Sequence, residues 1–466
     1  MPNITQHTFK VLALFVAFTI SVSSCKKKDD LGESADYKVQ NDVRDSAYLY
    51  TKDLYLWYDK LPAISEFKPR NLETVFDVMD KVKTYQTLDK WSFAETKAET
   101  DESQRGESTD FGFLIKFLPG SATEIRVTYV YANSTAGQAG IQRSWKLNKI
   151  NGRIINRGVT ADVDYINDIF FGNPPSASFE FIKPDGSTFT TTLQKTSYVL
   201  NTVLYRNVYN KGSQKIGYLV FNQFAGATSI SELETAMNYF QAQGVNEMIV
   251  DLRYNRGGYV STQDYLANSL APQSVGQNQT VMYTYKFNDR YKKWDESYKF
   301  NKRGTLNLSR VVFIVSPNSA SASELLINNL KPVMNVKLVG ETRTYGKPVG
   351  FFPIPVFQYN IFPVSFKTVN NAGIADYFSG FPVDKNVADD LLHDFGDENE
   401  ANLKEALKYL TTGSFTIASA QAQVSSVESQ KVKQLNAEFS DHLPSVTIEN
   451  RPSRMPLPIK NLQRDN

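Results

Sequence analysis

The chain has 466 residues, 41% of them hydrophobic and 21% charged, so it can bury several cores and most of it should fold. Lys and Arg number 51 against 49 Asp and Glu, and the formal net charge of +2 excludes recruitment of nucleic acid by bulk charge. A single cysteine excludes an internal disulfide, so stability must come from packed cores.

The chain opens with Lys10 ahead of the apolar run VLALFVAFTI (11–20), which at ten residues is too short for a stable bilayer-spanning helix and reads as an export leader. VSSC (22–25) then resembles a bacterial lipobox. That resemblance implies a signal peptide at 1–24, a lipid on Cys25 that holds the protein to a membrane, and a place in the cell envelope, on the periplasmic face of an outer membrane or the cell surface. KKKDD (26–30) begins a charged stretch that suits a tether over 25–36.

Val43, Ala47, Tyr50, Leu54 and Trp57 alternate steps of four and three and predict a helix over 41–58. Leu72, Val75, Met79 and Val82 predict a second, with Asn71 as its N-cap. A small helical domain is expected at 37–105.

Short strands follow, beginning with TDFGFLIKF (109–117). Asn151-Gly152 between two apolar runs marks a hairpin, and Val163, Ile166 and Phe170 mark a helix that Thr160 could cap. SFEFI and TFTTTLQ flank a turn at Pro184-Asp185-Gly186. This order, together with STAGQAGI (134–141), resembles a PDZ domain at 106–196. The resemblance implies that an extended peptide end adds to a sheet edge, its carboxylate held by the loop Phe111, Gly112 and Phe113, where glycine leaves room for close approach.

KIGYLVFNQF (215–224), MIVDL and VVFIV read as strands, the last two buried on both faces. Ile230, Leu233, Met237 and Phe240 form a helical stripe that ends at Gly244. The fold class expected is α/β within a multi-domain α+β arrangement, with a layered α/β core at 197–412 and a loosely ordered tail at 413–466.

In FIVSPNSASASELLINNLK (313–331) a strand runs into a helix, and Ser321 and Glu324 have the S-x-x-E spacing of a capping box. A hydroxyl there also faces backbone N–H donors and the positive end of a helix dipole, which favour an oxyanion. Its base is hard to find among histidines, because His7 lies in the leader, His442 in the tail and His393 in a charged stretch. A lysine can serve if burial lowers its pKa, and VKLVGETRTYGKPVG (336–350) supplies Lys347.

SASASE, an apolar strand ending in VGE, and T-x-GK 26 residues after the central serine resemble the carboxy-terminal processing peptidases, or tail-specific proteases. VDLRYNRGG (250–258), TLDKWSF (87–93) and IGYLVF extend the likeness over about 40–410. The resemblance implies a serine endopeptidase in which Ser321 is nucleophile, Lys347 is general base, and the N–H groups of Gly258 and Ala322 form the oxyanion hole. Its substrates would be proteins or peptides bound by their C-terminal ends, with no cofactor and no metal. One position departs: the residue four after the lysine, a glutamine in many relatives, is Phe351. The alternative is a membrane-anchored lipoprotein that binds peptides with little or no cleavage. The 30 Phe, 25 Tyr and 4 Trp would suit a polysaccharide surface, but most fall on strand and helix patterns and are expected in cores.

Overall fold

The computed structural model describes residues 37–308, 310–417, 427–441 and 447–448. The leader, Cys25 and the tether lie outside the described residues.

Helix α1 (Val43–Leu54) is capped by Asp42, whose side chain accepts the Arg44 N–H. Helix α2 (Val75–Lys83) begins later than the sequence suggests. Asn71 closes a 3-10 turn (Pro69–Asn71), and Thr74 starts the helix because Asp77 returns a bond to its N–H at 2.9 Å, completing a capping box. Strand β1 (Phe93–Thr96) follows. Tyr48, Leu54, Val78, Met79 and Val82 share one apolar cluster with Phe221, Leu233, Val250, Leu325 and Phe351. The helical segment expected at 37–105 is therefore a layer on the α/β core, since its stripes are buried against that core and enclose none of their own.

A second body is built from β2 (Phe113–Phe117), β3 (Ile125–Val130), β4 (Lys146–Ile150), α3 (Thr160–Phe171), β5 (Ser176–Ile182) and β6 (Thr188–Gln194). Its sheet runs β2-β3-β4-β5-β6 with antiparallel pairs, so β2 is an edge strand. Asn151 and Gly152 take φ of 49° and 77°, the left-handed pair that a two-residue type I′ hairpin requires.

The core sheet comprises β7 (Val203–Lys211), β8 (Gln214–Phe221), β9 (Glu247–Asp251), β11 (Arg310–Val315), β12 (Asn335–Gly340) and β16 (Lys385–Asn386), in the order β7-β8-β9-β11-β12-β16. The β7–β8 pair is antiparallel and the rest are parallel. Helices α4 (Ala227–Ala242), α5 (Val260–Leu270) and α6 (Ala322–Leu330) belong to the same core, and the two-residue strand β10 (Gly258–Tyr259) leads directly into α5. Val311, Phe313 and Val315 pack on the side of α6, while Val312 and Ile314 pack under Leu403, Leu407 and Leu410 of α7 (Ala401–Thr412). This double cover explains the unbroken apolar run of β11. After β12 come β13 (Val349–Gly350) and the hairpin of β14 (Ile354–Val356) and β15 (Tyr359–Phe362), which pairs with β1.

Buried charge joins the second body to the core. Asp389 accepts from Lys116 Nζ at 3.2 Å and Arg143 Nη2 at 3.2 Å on one side, and from Arg253 Nη1 at 3.1 Å and Tyr254 OH at 2.6 Å on the other.

Two stretches of the expected tail, 427–441 and 447–448, carry regular structure. Helix α8 (Val427–Asp441) docks on the second body through Val432, Leu435 and Phe439. Strand β17 (Thr447–Ile448) pairs in parallel with β10. Three apolar side chains at helical spacing suffice for docking, although they are diluted among Ser, Gln and Ala in the sequence.

Candidate active site

Ser321 sits where β11 has turned into α6, with φ 61° and ψ −113°, a backbone conformation that a residue with a Cβ adopts only under constraint. The flanking serines supply that constraint. Ser319 Oγ donates to the Leu252 carbonyl at 2.7 Å, and Ser323 Oγ donates to the Asn255 carbonyl at 3.0 Å. The Ala320 N–H donates to the same Asn255 carbonyl at 3.1 Å. Ser319 and Ser323 are thus braces. Ser321 is 1% exposed, and among the described residues its Oγ has no hydrogen-bond partner.

Glu324 does more than cap a helix. Its Oε2 accepts the Ser321 N–H at 3.0 Å and the Lys347 N–H at 2.8 Å. Its Oε1 accepts Thr344 Oγ1 at 2.6 Å and the Gly346 N–H at 2.7 Å. One carboxylate oxygen therefore holds the main chains of both residues expected to react. Burial pushes the Glu324 carboxyl up to about 7, against the lowering effect of these four bonds. Gly346 must be glycine: at φ 101° a Cβ would stand 2.3 Å from the Phe378 carbonyl oxygen.

Lys347 is 1% exposed. Its Nζ lies 4.2 Å from the Phe351 ring centre and 5.9 Å from that of Trp91. Burial drives its pKa well below 10.5; Asp89 opposes that shift, Arg256 adds to it, and Glu324 opposes it again. The residue at the position of the expected glutamine is therefore an aromatic wall of the amine's pocket.

Gly258 lies in β10 with φ 138°, where a Cβ would come within 2.2 Å of the Phe224 carbonyl oxygen. Its loop is tied to the serine turn through Asn255. Besides accepting Ala320 and Ser323, Asn255 donates Nδ2 to the Phe221 carbonyl at 2.9 Å and accepts the Gly257 N–H on Oδ1 at 2.9 Å. Ala322 opens α6, so its N–H belongs to the first turn, which has no acceptor inside the helix.

The structure gathers Ser321, Ala322 and Lys347 around Glu324 and ties the Gly258 loop to them. It does not bring Phe111, Gly112 and Phe113 there. Phe111 and Phe113 are buried in the second body, with ring centres 5.1 and 5.3 Å from Phe179. Packing within the second body also requires glycine at this position: at φ 82° a Cβ on Gly112 would stand 1.8 Å from the Ser134 Cβ, and its N–H donates to Asp110 Oδ1 at 2.5 Å. Sequence reasoning missed the wider work of Glu324, Thr344, Asn255 and Trp91. The S-x-x-E spacing flagged the first, and the TLDKWSF stretch the last.

Residues 215–367 match peptidase family S41. A protein of Staphylococcus saprophyticus described as a CtpA-like serine protease is 25% identical over 268 residues, covering 56% of this chain and 50% of its own. A Staphylococcus aureus protein with the same description is 26% identical over 260 residues, covering 54% and 48%. The chain spans about half the length of the curated relatives it matches. A crystal structure of an S41 protease from Bacteroides fragilis superposes with a TM-score of 0.63 at 22% identity, over 79% of this chain and 97% of that one, a likeness of fold.

Proposed function

We propose that this chain, whose residues 215–367 match peptidase family S41, is a serine endopeptidase in which Ser321 and Lys347 form the reacting pair. Neutral Lys347 takes the proton of Ser321 Oγ, and the oxygen attacks a peptide carbonyl carbon. The carbonyl oxygen, now negative, is held by the N–H groups of Gly258 and Ala322. Lys347 returns its proton to the departing amine, and water then releases the acyl group from Ser321. Each proton has an acceptor on the chain or the substrate.

The observation that carries this reading is the common anchoring of both residues on Glu324, in a pocket where an amine is driven towards its neutral form. Substrates are proteins or peptides, received by their C-terminal ends at the PDZ-like second body, and Cys25 carries a lipid that fixes the enzyme in the cell envelope. Lipid labelling lost in Cys25→Ala supports the anchor, and labelling retained there sinks it.

The test of the chemistry is covalent labelling of Ser321 by a fluorophosphonate, together with cleavage of an unfolded protein. Both are expected in the native chain and absent in Ser321→Ala and Lys347→Ala. The second reading, binding without cleavage, is favoured by the unpartnered Ser321 Oγ and by Phe351, and it stands if the native chain neither labels nor cleaves.

A further inference from the structure

Two surfaces that an extended peptide could use are already covered by this chain. On the second body, β2 is an edge strand whose last residue, Phe117, offers main-chain groups to solvent or to a partner. Asn436 of α8 takes both of them: its Oδ1 accepts the Phe117 N–H at 2.9 Å and its Nδ2 donates to the Phe117 carbonyl at 2.8 Å. A side-chain amide thus reproduces the pair of bonds that an added strand would make. Beside it Phe439, 3% exposed, wedges into the groove between β2 and α3, with ring centres 6.2, 5.8 and 4.8 Å from Phe117, Phe170 and Phe171.

The second surface is the cleft itself. β17 runs parallel to β10, with Thr447 opposite Gly258 and Ile448 opposite Tyr259, and it also touches β13, which begins two residues after Lys347. Backbone from near the end of the chain is therefore laid along the strand that holds the oxyanion-hole glycine, between the arm carrying Gly258 and the arm carrying Lys347.

We propose that α8 and β17 together are an internal ligand of the peptidase, α8 occupying the peptide groove of the second body and β17 the substrate edge along Gly258, so that substrate must displace them. This rests on the reading of Ser321 as nucleophile. The two contacts belong to one continuous segment, so release of the helix lowers the effective concentration of the strand at the cleft.

The experiment compares the rate of fluorophosphonate labelling of Ser321 in the full chain with that in full-length Asn436→Ala/Phe439→Ala. Labelling follows the population of the uncovered cleft, and loss of two hydrogen bonds with a buried ring should raise it by about tenfold or more. A synthetic peptide of residues 427–448, added to the double variant, should bring the rate back down. Equal rates in the two proteins overturn the internal ligand and leave the peptidase reading intact. Absence of labelling in both overturns that reading and the internal ligand with it. If the double variant does not fold, Asn436→Ala alone, which removes no buried ring, must still label faster than the native chain, and an unchanged rate overturns the proposal.

Discussion

Lysine in water keeps its proton at neutral pH, and the base role proposed for Lys347 requires surroundings that withhold solvent. A side chain kept neutral by burial weakens the fold below its ordinary pKa, because the unfolded chain binds a proton there that the folded chain refuses. Stability from this group therefore rises with pH between its depressed folded value and 10.5. Two outcomes follow. The rate of Ser321 labelling should rise with pH along a limb whose midpoint lies well below 10.5. Lys347→Met, which keeps the volume and removes the amine, should raise the melting temperature at pH 7 by the equivalent of about 1–2 kcal/mol while abolishing labelling. Glu324 has the opposite sign. Its carboxyl is raised from 4.5 to about 7, so the stability it contributes is complete below 4.5 and is lost as pH rises through about 7. That loss amounts to about 3 kcal/mol, and Glu324→Gln should flatten the slope of melting temperature against pH between 5 and 8.

At the scale of elements, the site is made of turns that are pinned to one another. β10 is two residues long, yet its position decides whether Gly258 can face the serine turn. Gly258→Ala places a Cβ 2.2 Å from the Phe224 oxygen and should destabilise by roughly 3 kcal/mol or more, read as a fall in melting temperature together with lost labelling. What the sequence revealed of this site was local. The serine triplet, the S-x-x-E spacing and the Gly346-Lys347 turn are contiguous signals, and each names residues that the structure gathers in one cluster. The bonds from Glu324 to Thr344, Gly346 and Lys347 span 20 or more residues and have no spacing rule, so that hub stayed hidden. Helix α8 was hidden for another reason. Its stripe of Val432, Leu435 and Phe439 is visible, but a stripe so short has meaning only against the groove that receives it. The start of α2 was misplaced because Asn71 and Thr74 are both acceptable caps, and the choice rested on Asp77.

Across the whole molecule, Asp389 gathers three cations and a tyrosine from two bodies at one carboxylate. Burial alone would raise its pKa, but Lys116, Arg143 and Arg253 hold it well below the usual carboxylate range. Its contribution is therefore present above the ordinary carboxylate pKa and is lost only as pH falls through the depressed folded value. Asp389→Asn removes the carboxylate that Arg143 shares with Lys116 and Arg253, while Glu341 still faces Lys116 and Asp251 and Glu400 still face Arg253, and should cost about 3 kcal/mol. The expected readout is a lower melting temperature with a wider spread of orientations of the second body in solution scattering. The shared core of the N-terminal helices has a practical corollary. Trp91, one of the two rings beside the Lys347 amine, lies far outside the stretch that matches the family, 215–367. A fragment trimmed to those borders would keep serine and lysine but bare the amine to water, where it would stay an inert cation. On the proposed reading, a fragment that keeps the pocket of the amine must begin upstream of Trp91.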